Sequence, residues 1–171
     1  MPANIEIKAR ISNIEVIRRK VEKLDIKETG EIFHEDTFFK TDIGRLKLRI
    51  FSQEKGELIY YLRNDSAGPK RSDYKLYKTD NPIALKEILE TSLGIRGVVK
   101  KNRSLYIVGN TRIHLDKVEN LGTFLELEVV LSNEQNENEG ISIANEFLKK
   151  LGIDKKDLVD KAYIDLLETS T

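Results

Sequence analysis

The feature that most constrains this chain is a strict alternation of apolar and polar residues in short segments. In NIEIKARI (4–11), apolar side chains take the odd positions and polar or charged side chains take the even positions. Alternation returns in RLKLRIF (45–51) and RIHLD (112–116), and with interruptions in ELIYYLR (57–63) and FLELEVVL (124–131). Because successive side chains of a β-strand point to opposite faces, these segments predict antiparallel strands with one apolar and one polar face.

Helical segments separate the strands. S-x-x-E (12–15) is a capping-box pattern that predicts a helix start, and DNP (80–82) predicts a second helix that ends at Gly94. An apolar stripe over 158–167 predicts a helix near the end of the chain. In the EKG turn, we expect Gly56 to adopt a positive φ. Strands in adjacent antiparallel pairs, with helices between them, predict an α+β fold.

The composition limits the classes of partner. The 171 residues predict a single domain over 1–171, and 39% hydrophobic residues are enough for a core. Charged residues make up 34% but the formal net charge is zero, which removes any general attraction to nucleic acid or acidic membranes. The absence of cysteine excludes disulfides and thiolate metal sites. Because no long apolar segment is present, we expect a cytoplasmic protein with neither a membrane nor a nucleic-acid partner.

On the polar faces, charges separate by sign. One strand carries Arg45, Lys47 and Arg49 without an acid, whereas another carries Glu126 and Glu128 without a base. For any single strand, a sheet face turned toward water explains such a pattern. A surface that serves only solubility, however, mixes both signs.

The helices favour a different explanation for the strands as a set. Their apolar stripes need a sheet face to cover, and a sheet of eight or nine strands tends to curl or close. If the sheet closes with the helices outside, the charged face becomes a lumen, where unpaired charge is costly. A polyanion bound together with a divalent metal would neutralise both signs.

The order of the charged segments is informative as well. NIEIK (4–8) is followed by HEDTFF (34–39), GRLKLR (44–49), ELIYYLR (57–63), KKNR (100–103), RIHLD (112–116) and ELE (126–128). In this order and spacing the sequence resembles the CYTH superfamily, the triphosphate tunnel metalloenzymes, which include class IV adenylate cyclases and thiamine triphosphatases. NIEIK corresponds to the E-x-E-x-K signature that opens the family, and the resemblance covers nearly the whole chain.

The resemblance implies an eight-stranded antiparallel β-barrel that is closed into a tunnel, with helices packed outside. It implies Mg²⁺ or Mn²⁺ as cofactor and a small-molecule triphosphate as partner, and it allows a homodimer. By position, the metal ligands would be Glu6, Asp116, Glu126 and Glu128. The phosphate contacts would be Lys8, Lys47, Arg49, Arg63, Lys101, Arg103 and Arg112. The catalytic residues would be Glu6, Lys8, Glu126 and Glu128.

The branch that HEDTFF and GRLKLR resemble most is class IV adenylate cyclase, which implies conversion of ATP to cyclic AMP and pyrophosphate. A triphosphatase for thiamine triphosphate, nucleotides or tripolyphosphate is the near alternative, and a non-catalytic binder of polyphosphate or nucleotide is a further one. The first glutamate of the signature is Asn4 here, which offers a metal an oxygen but no charge. This departure favours one-metal chemistry, reduced activity or a different phosphoryl substrate.

Three further polar residues have open roles. His114 shares the charged parity with Asp116, so it is a candidate for a phosphate contact or a proton shuttle, although packing is the commoner role for such a residue. We expect His34 to be structural or exposed. Asp36 either orients a basic residue or is an ordinary charge on the strand surface.

Overall fold

The structure, a computed structural model, describes residues 3–170, so positions 1, 2 and 171 of the predicted domain lie outside it. A 3-10 turn, Lys155–Asp157, precedes the last strand. The strands are β1 (Ala3–Arg10), β2 (Glu28–Phe39), β3 (Arg45–Ser52), β4 (Lys55–Arg63), β5 (Lys70–Thr79), β6 (Ile95–Val108), β7 (Thr111–Val118), β8 (Gly122–Val130) and β9 (Leu158–Val159). The helices are α1 (Ile14–Val21), α2 (Pro82–Leu93), α3 (Glu137–Leu151) and α4 (Tyr163–Thr169).

Eight of the strands form a closed antiparallel barrel. Their order is β5-β4-β3-β2-β6-β7-β8-β1, and β5 pairs with β1 through Lys70–Asp73 opposite Ala3–Glu6. The short β9 pairs with the other half of β1, at Lys8 and Ala9. The structure therefore confirms the predicted eight-stranded closed barrel of an α+β fold.

The apolar parity of the strands faces outward and carries the main core, as the alternation predicts. Helices α1 and α3 cover this face, and α3 contacts both β1 and β8. The fully buried strand residues of this core are Ile5, Ile7, Ile113, Leu115, Leu125, Leu127 and Val129. Because the helices take up the apolar face, the charged parity is left to line the lumen.

A second, smaller core lies inside one end of the barrel. Phe38, Val99 and Phe124, all on the lumen parity, pack against Tyr163 and Ile164 at the start of α4. A Cβ atom at Gly97 would lie 2.5 Å from Ile164 Cδ1, so this strand position must be small for α4 to approach. Helix α4 thus closes one mouth of the barrel, which the sequence did not predict.

Charged contacts hold α4 at this closed mouth. Asp165 accepts hydrogen bonds from Arg45 Nη2 at 2.8 Å and from Arg96 Nη2 at 2.6 Å. Lys70 Nζ donates to the Asp160 carbonyl at 2.9 Å, just before the helix begins. These contacts come from three different strands, so the position of α4 depends on the closed barrel.

Local predictions were partly correct. Helix α2 begins within DNP and ends before Gly94, as predicted, and Asn81 is its N-cap with Pro82 in the first turn. The α1 prediction was wrong by one residue, because the side chain of Asn13, and not that of Ser12, accepts hydrogen bonds from the first helical N–H groups. The predicted helix over 158–167 starts only at Tyr163.

Gly56 does not have the predicted positive φ. It lies in β4, where a Cβ atom would lie 2.7 Å from Cβ of Pro82 and 3.0 Å from the carbonyl oxygen of Arg49. Close packing of α2 on the hairpin, and not turn geometry, explains why glycine is needed at this position. Among the helices of residues 3–170, none is long and apolar enough to span a membrane.

Candidate functional site

The lumen contains a cavity of about 580 Å³ that both signs of charge line. The predicted site residues that line it are Glu6, Lys8, Lys47, Arg49, Arg63, Lys101, Arg103, Arg112, Glu126 and Glu128. Asp116 is the exception, since it is fully buried behind Arg103. Closing the barrel therefore brings residues from strands far apart in sequence into one cavity.

Strand β6 shows how the cavity changes along its axis. From the closed mouth, its lumen side carries Val99, then the cations Lys101 and Arg103, and then Leu105 and Ile107. At the other end, the lining residues Phe51 and Leu76 are 36% and 44% exposed, so this open mouth reaches solvent. The cavity is thus charged at depth and partly aliphatic toward the open mouth.

Asp36 organises two of the cations. Arg49 donates from Nε and Nη2 to the two carboxylate oxygens at 2.8 Å each, and Lys47 Nζ lies 3.4 Å from Oδ2. Burial alone would raise the pKa of Asp36, but Lys47 and Arg49 hold it well below its usual value. Of the two roles considered for Asp36, the structure supports the orientation of basic residues.

Asp116 fixes Arg103 in the same way. Arg103 donates to its two oxygens from Nε at 2.8 Å and from Nη2 at 2.7 Å, and the Tyr163 hydroxyl donates to Oδ2 at 2.7 Å. With both oxygens engaged and no exposed surface, Asp116 in this arrangement positions Arg103 and Tyr163. The pattern analysis did not identify Tyr163 as a lumen residue, because its position depends on the packing of α4 and leaves no strand periodicity.

Two cations that line the cavity have donor groups without an acceptor among residues 3–170. Lys101 is 4% exposed and has no hydrogen-bond or ion-pair partner among residues 3–170. Burial, with help from Arg103 and Arg49, lowers its pKa well below the usual value. Arg63 Nη1 donates to Glu6 Oε2 at 3.4 Å, but its Nε and Nη2 are buried without a partner in the described chain. Buried donors of this kind are costly unless a ligand supplies the acceptors.

Carboxylates gather on the neighbouring strands β1 and β8. His114, Glu126 and Glu128 each place a ligand atom within 4.8 Å of the other two, and we call them the carboxylate–histidine group. Burial, followed by the charges of Glu6 and Glu126, raises the pKa of Glu128 to about 7. Burial and the charge of Glu126 also raise the pKa of Glu6. Such mutual repulsion is relieved by a cation, so these residues fit a divalent metal ion.

Not every predicted metal ligand belongs to the carboxylate–histidine group. Glu6 stands next to it, since it is paired with Glu128 across β1 and β8, but its Oε2 is directed to Arg63. Although burial would raise the pKa of Glu126, Arg103 keeps that pKa well below its usual value. Lys8 Nζ lies 3.7 Å from Glu126 Oε2 and 3.8 Å from the centre of the Tyr163 ring.

Both histidines face the lumen. His114 is 4% exposed, and its Nδ1 has no hydrogen-bond partner in the part of the chain that the structure describes. His34 is buried, with its ring edge-on to Phe51, so it is not exposed. Burial and the nearby cations Arg49, Lys101 and Arg103 lower the pKa of His34 to about 2.

The buried, neutral His34 predicts a loss of stability in acid. Unfolded chains take up a proton near the ordinary pKa of about 6.5, whereas the folded protein does not protonate His34 until the pH is near 2. The contribution of neutral His34 to the free energy of unfolding is complete above pH 6.5. Below that pH it falls by about 1.4 kcal/mol per pH unit.

Urea unfolding of the metal-free protein from pH 7.5 to 4.5 measures this effect. As the pH falls, we expect a His34→Leu variant to lose less stability than the wild type. The slopes of unfolding free energy against pH should differ by about the amount that corresponds to uptake of one proton on unfolding. Equal slopes for the two proteins would contradict a neutral His34. The comparison isolates His34 from Glu128, whose raised pKa acts in the opposite direction.

Comparison with known proteins agrees with the geometry. The sequence profile of the CYTH domain matches residues 2–163. The chain belongs to the CYTH family. Proteins of this family bind triphosphate substrates and depend on metal ions. A Methanocaldococcus jannaschii relative, whose name proposes an adenylate cyclase, is 27% identical over 95% of this chain and 97% of its own length.

Solved structures show the same CYTH fold. The PH1012 protein of Pyrococcus horikoshii has a TM-score of 0.85 and 31% identity, and the match covers 95% of this chain and 98% of that one. HpAC1 of Hippeastrum, described as an adenylyl cyclase candidate with a dominant triphosphatase activity, has a TM-score of 0.67 at 15% identity. That match covers 100% of this chain and 97% of the other. At that identity, the likeness concerns the fold alone.

Proposed function

We propose that this CYTH protein is a divalent-metal-dependent enzyme that binds an organic triphosphate in the lumen and cleaves it. One observation carries the proposal. Among residues 3–170, the buried Lys101 has no hydrogen-bonded or ion-paired anion, and it lines the same cavity in which Glu6, Glu126 and Glu128 repel one another. A triphosphate with its metal ion supplies the missing charge on both sides.

The charge of the cavity fits such a pair of ligands. Seven Lys or Arg residues and six Asp or Glu residues line it. A site for an anion alone would carry a large cationic excess, and a site for a metal alone would carry an acidic one. Near balance of the two signs suits a polyanion and a metal ion together.

The cations and the carboxylates of the cavity would have different roles. Arg63 and Lys101 offer free donors to phosphate oxygens, and Arg49 and Arg103 are held rigid by their carboxylate partners. Rigid guanidinium groups stabilise the charge that develops during phosphoryl transfer without further reorganisation. Glu126 and Glu128 would hold the metal, which when bound would neutralise phosphate charge and orient the reacting oxygen.

Adenylate cyclase chemistry is the reaction that we propose first. In the strand register, His114 is opposite Leu105 and Arg112 is opposite Ile107, so the carboxylate–histidine group borders the aliphatic part of the cavity. An organic group at that part would bring the α-phosphate next to the metal ligands. The ribose 3′-oxygen would then form a bond to the α-phosphorus, pyrophosphate would leave, and the hydroxyl proton would pass to a carboxylate or water.

Hydrolysis of the terminal phosphate is the second candidate. Lys8 and Lys101 lie near the closed mouth, with Nζ atoms 3.8 and 5.1 Å from the centre of the Tyr163 ring. In the same orientation of the substrate, these cations would surround the terminal phosphate, where water could attack. A binder without turnover would use the same contacts, and only the products separate the three cases.

Product analysis tests the proposal. The protein is incubated with Mn²⁺ and either ATP, thiamine triphosphate or tripolyphosphate, and the products are resolved. Cyclic AMP with pyrophosphate supports the cyclase, and inorganic phosphate supports the triphosphatase. A ligand that binds the folded protein and is present at a concentration of about 100 times its Kd adds about 2.7 kcal/mol to the free energy of unfolding. If none of the three compounds is turned over or raises the melting temperature, the lumen is not a triphosphate site.

Asn4 sets the number of metal ions that we propose. Its Nδ2 donates to Glu128 Oε1 at 2.8 Å, and its Oδ1 is buried with no partner in residues 3–170. The amide therefore orients Glu128 and adds no charge, where the family signature has a carboxylate. Because the site lacks the negative charge of that carboxylate, we propose that it binds a single metal ion.

An Asn4→Glu variant is expected to bind a second Mn²⁺ ion and to be less stable without metal. Like charges about 5 Å apart repel by about 3 kcal/mol at an effective dielectric of about 20, so we expect a loss of at least about 1 kcal/mol in the free energy of unfolding. Calorimetric titration measures stoichiometry, and Asn4→Gln is the neutral control. Two Mn²⁺ ions bound to the wild type would contradict the one-metal proposal.

A further inference from the structure

We infer that His114 Nδ1 is a metal ligand in the carboxylate–histidine group, and that this nitrogen makes the site prefer Mn²⁺ and similar first-row ions to Mg²⁺. The inference rests on the proposed function, because it concerns the metal of the same site. It goes further in assigning a nitrogen donor and the class of metal.

The geometry of β7 and β8 brings the donors together. His114 is directly opposite Glu126 in the antiparallel register, and Glu128 follows Glu126 on the same face. Their ligand atoms lie within 4.8 Å of one another. Ligands about 2.1 Å from an octahedral ion lie about 3 Å apart in cis and about 4.2 Å apart in trans. Small side-chain rotations are enough to close these donors around one ion.

The unpaired nitrogen is the second observation. His114 is 4% exposed, its Nδ1 has no hydrogen-bond partner within the described residues, and the nearest Glu126 oxygen is 3.7 Å away. Leaving a buried polar atom without a partner is unfavourable. An ion between Nδ1 and the Glu126 carboxylate would satisfy both groups, because each offers it a lone pair.

A mixed set of nitrogen and oxygen donors has a consequence for metal choice. Mg²⁺ is a hard ion that is bound through carboxylates, phosphates and water, whereas imidazole is a ligand typical of transition metals. Two carboxylates alone would accept Mg²⁺ or Mn²⁺. An imidazole nitrogen in the same group raises the preference of the site for Mn²⁺ over Mg²⁺.

Pulsed electron paramagnetic resonance of the full chain with bound Mn²⁺ tests the assignment directly. We expect nitrogen modulations in the wild type, and we expect them to change when histidine is labelled with ¹⁵N. They should disappear in His114→Gln and remain in His34→Gln, which alters the other histidine of the chain. Because the labelling experiment uses wild-type protein, it remains decisive even if His114→Gln folds poorly.

Metal affinities provide a second measurement. We expect His114→Gln to bind Mn²⁺ at least about tenfold more weakly, since the loss of even an outer partner of a metal ligand costs about 10–100-fold. Mg²⁺ affinity should change by less than about threefold, because the glutamine oxygen can replace the nitrogen for that ion. Bound Mn²⁺ without nitrogen modulations would overturn the inference and leave the proposed function intact. Absence of Mn²⁺ binding in the presence of tripolyphosphate would overturn both.

A phosphate contact is the competing role for His114. Tripolyphosphate binding to metal-free protein and the Mn²⁺ spectrum together distinguish the two roles. If His114 binds phosphate and not metal, His114→Gln would weaken tripolyphosphate binding in metal-free protein, and the Mn²⁺ spectrum would show no histidine nitrogen. That combination would overturn the inference. The expected result is the reverse: metal-free binding of tripolyphosphate is unchanged, and only the metal-dependent increase in affinity is lost.

Discussion

Replacement of Lys101 by Met is expected to raise thermal stability and, at the same time, to weaken triphosphate binding. Lys101 is buried, has no anionic partner in residues 3–170, and lies beside Arg103 and Arg49, which together with burial lower its pKa. A methionine of similar length removes this unfavourable charge. We expect a gain of about 1–4 kcal/mol in the free energy of unfolding, as when hydrophobic residues replace buried charged groups.

The same substitution removes a phosphate donor. Truncating one partner of a buried charged contact costs about 2–5 kcal/mol of binding, so tripolyphosphate affinity should fall about 30-fold or more. Thermal unfolding and calorimetric titration measure the two effects. Lys100→Met is the matched control, because Lys100 is on the outer face with a side chain that is 47% exposed. A Lys101→Met protein that is less stable than the wild type would contradict the unfavourable charge at this position, and one that binds tripolyphosphate equally well would contradict the phosphate role.

Replacement of Glu126 by Gln is expected to lower metal-dependent turnover at least about 100-fold while the fold is kept. Glutamine has the same shape, but it removes one negative charge from the carboxylate–histidine group. It also removes the charge that faces Lys8 and Arg103, each 3.7 Å away. A bound metal supplies several kcal/mol of transition-state stabilisation, and a loss of about 2.7 kcal/mol corresponds to a factor of about 100.

Rates at saturating Mn²⁺ and circular dichroism separate chemistry from folding in this variant. Glu35→Gln is a suitable control, since Glu35 faces outward, where it pairs with Lys100 at 3.6 Å. We expect the control to match the wild type in both measurements. Wild-type turnover by Glu126→Gln would place the metal elsewhere in the lumen.

Lys101 is a better position than Arg49 for a test of phosphate binding, and the pattern of charges in the sequence does not show this. By parity, both residues are equivalent candidates for phosphate contacts. In the structure, Arg49 forms two hydrogen bonds with the buried Asp36, whereas Lys101 has no such partner. Loss of the Arg49 side chain would remove two hydrogen bonds from the buried Asp36 and leave Lys47 as its close cationic contact, so the variant is expected to be less stable. An inactive Arg49→Ala protein would therefore not distinguish binding from folding.

Alternation along the chain was enough to predict the barrel strands and their two faces, and the resemblance to the CYTH family implied the closed barrel. Alternation is a local property, because side-chain direction reverses at every residue of a strand. Once Ile5 and Leu127 mark the outer face, Glu6 and Glu126 must point to the lumen. The family signature depends on the same local order, so the cavity and most of its lining could be predicted from the sequence.

The pairing of the charges in the lumen is a property of the tertiary structure. Pairing depends on the register between strands that are distant in the chain, and this register sets His114 opposite Glu126 and Arg103 opposite Asp116. It also depends on α4, which brings Tyr163 to Asp116 from the far end of the sequence. Electrostatic energies vary with distances of an ångström and with burial, and no pattern along a single strand contains either quantity.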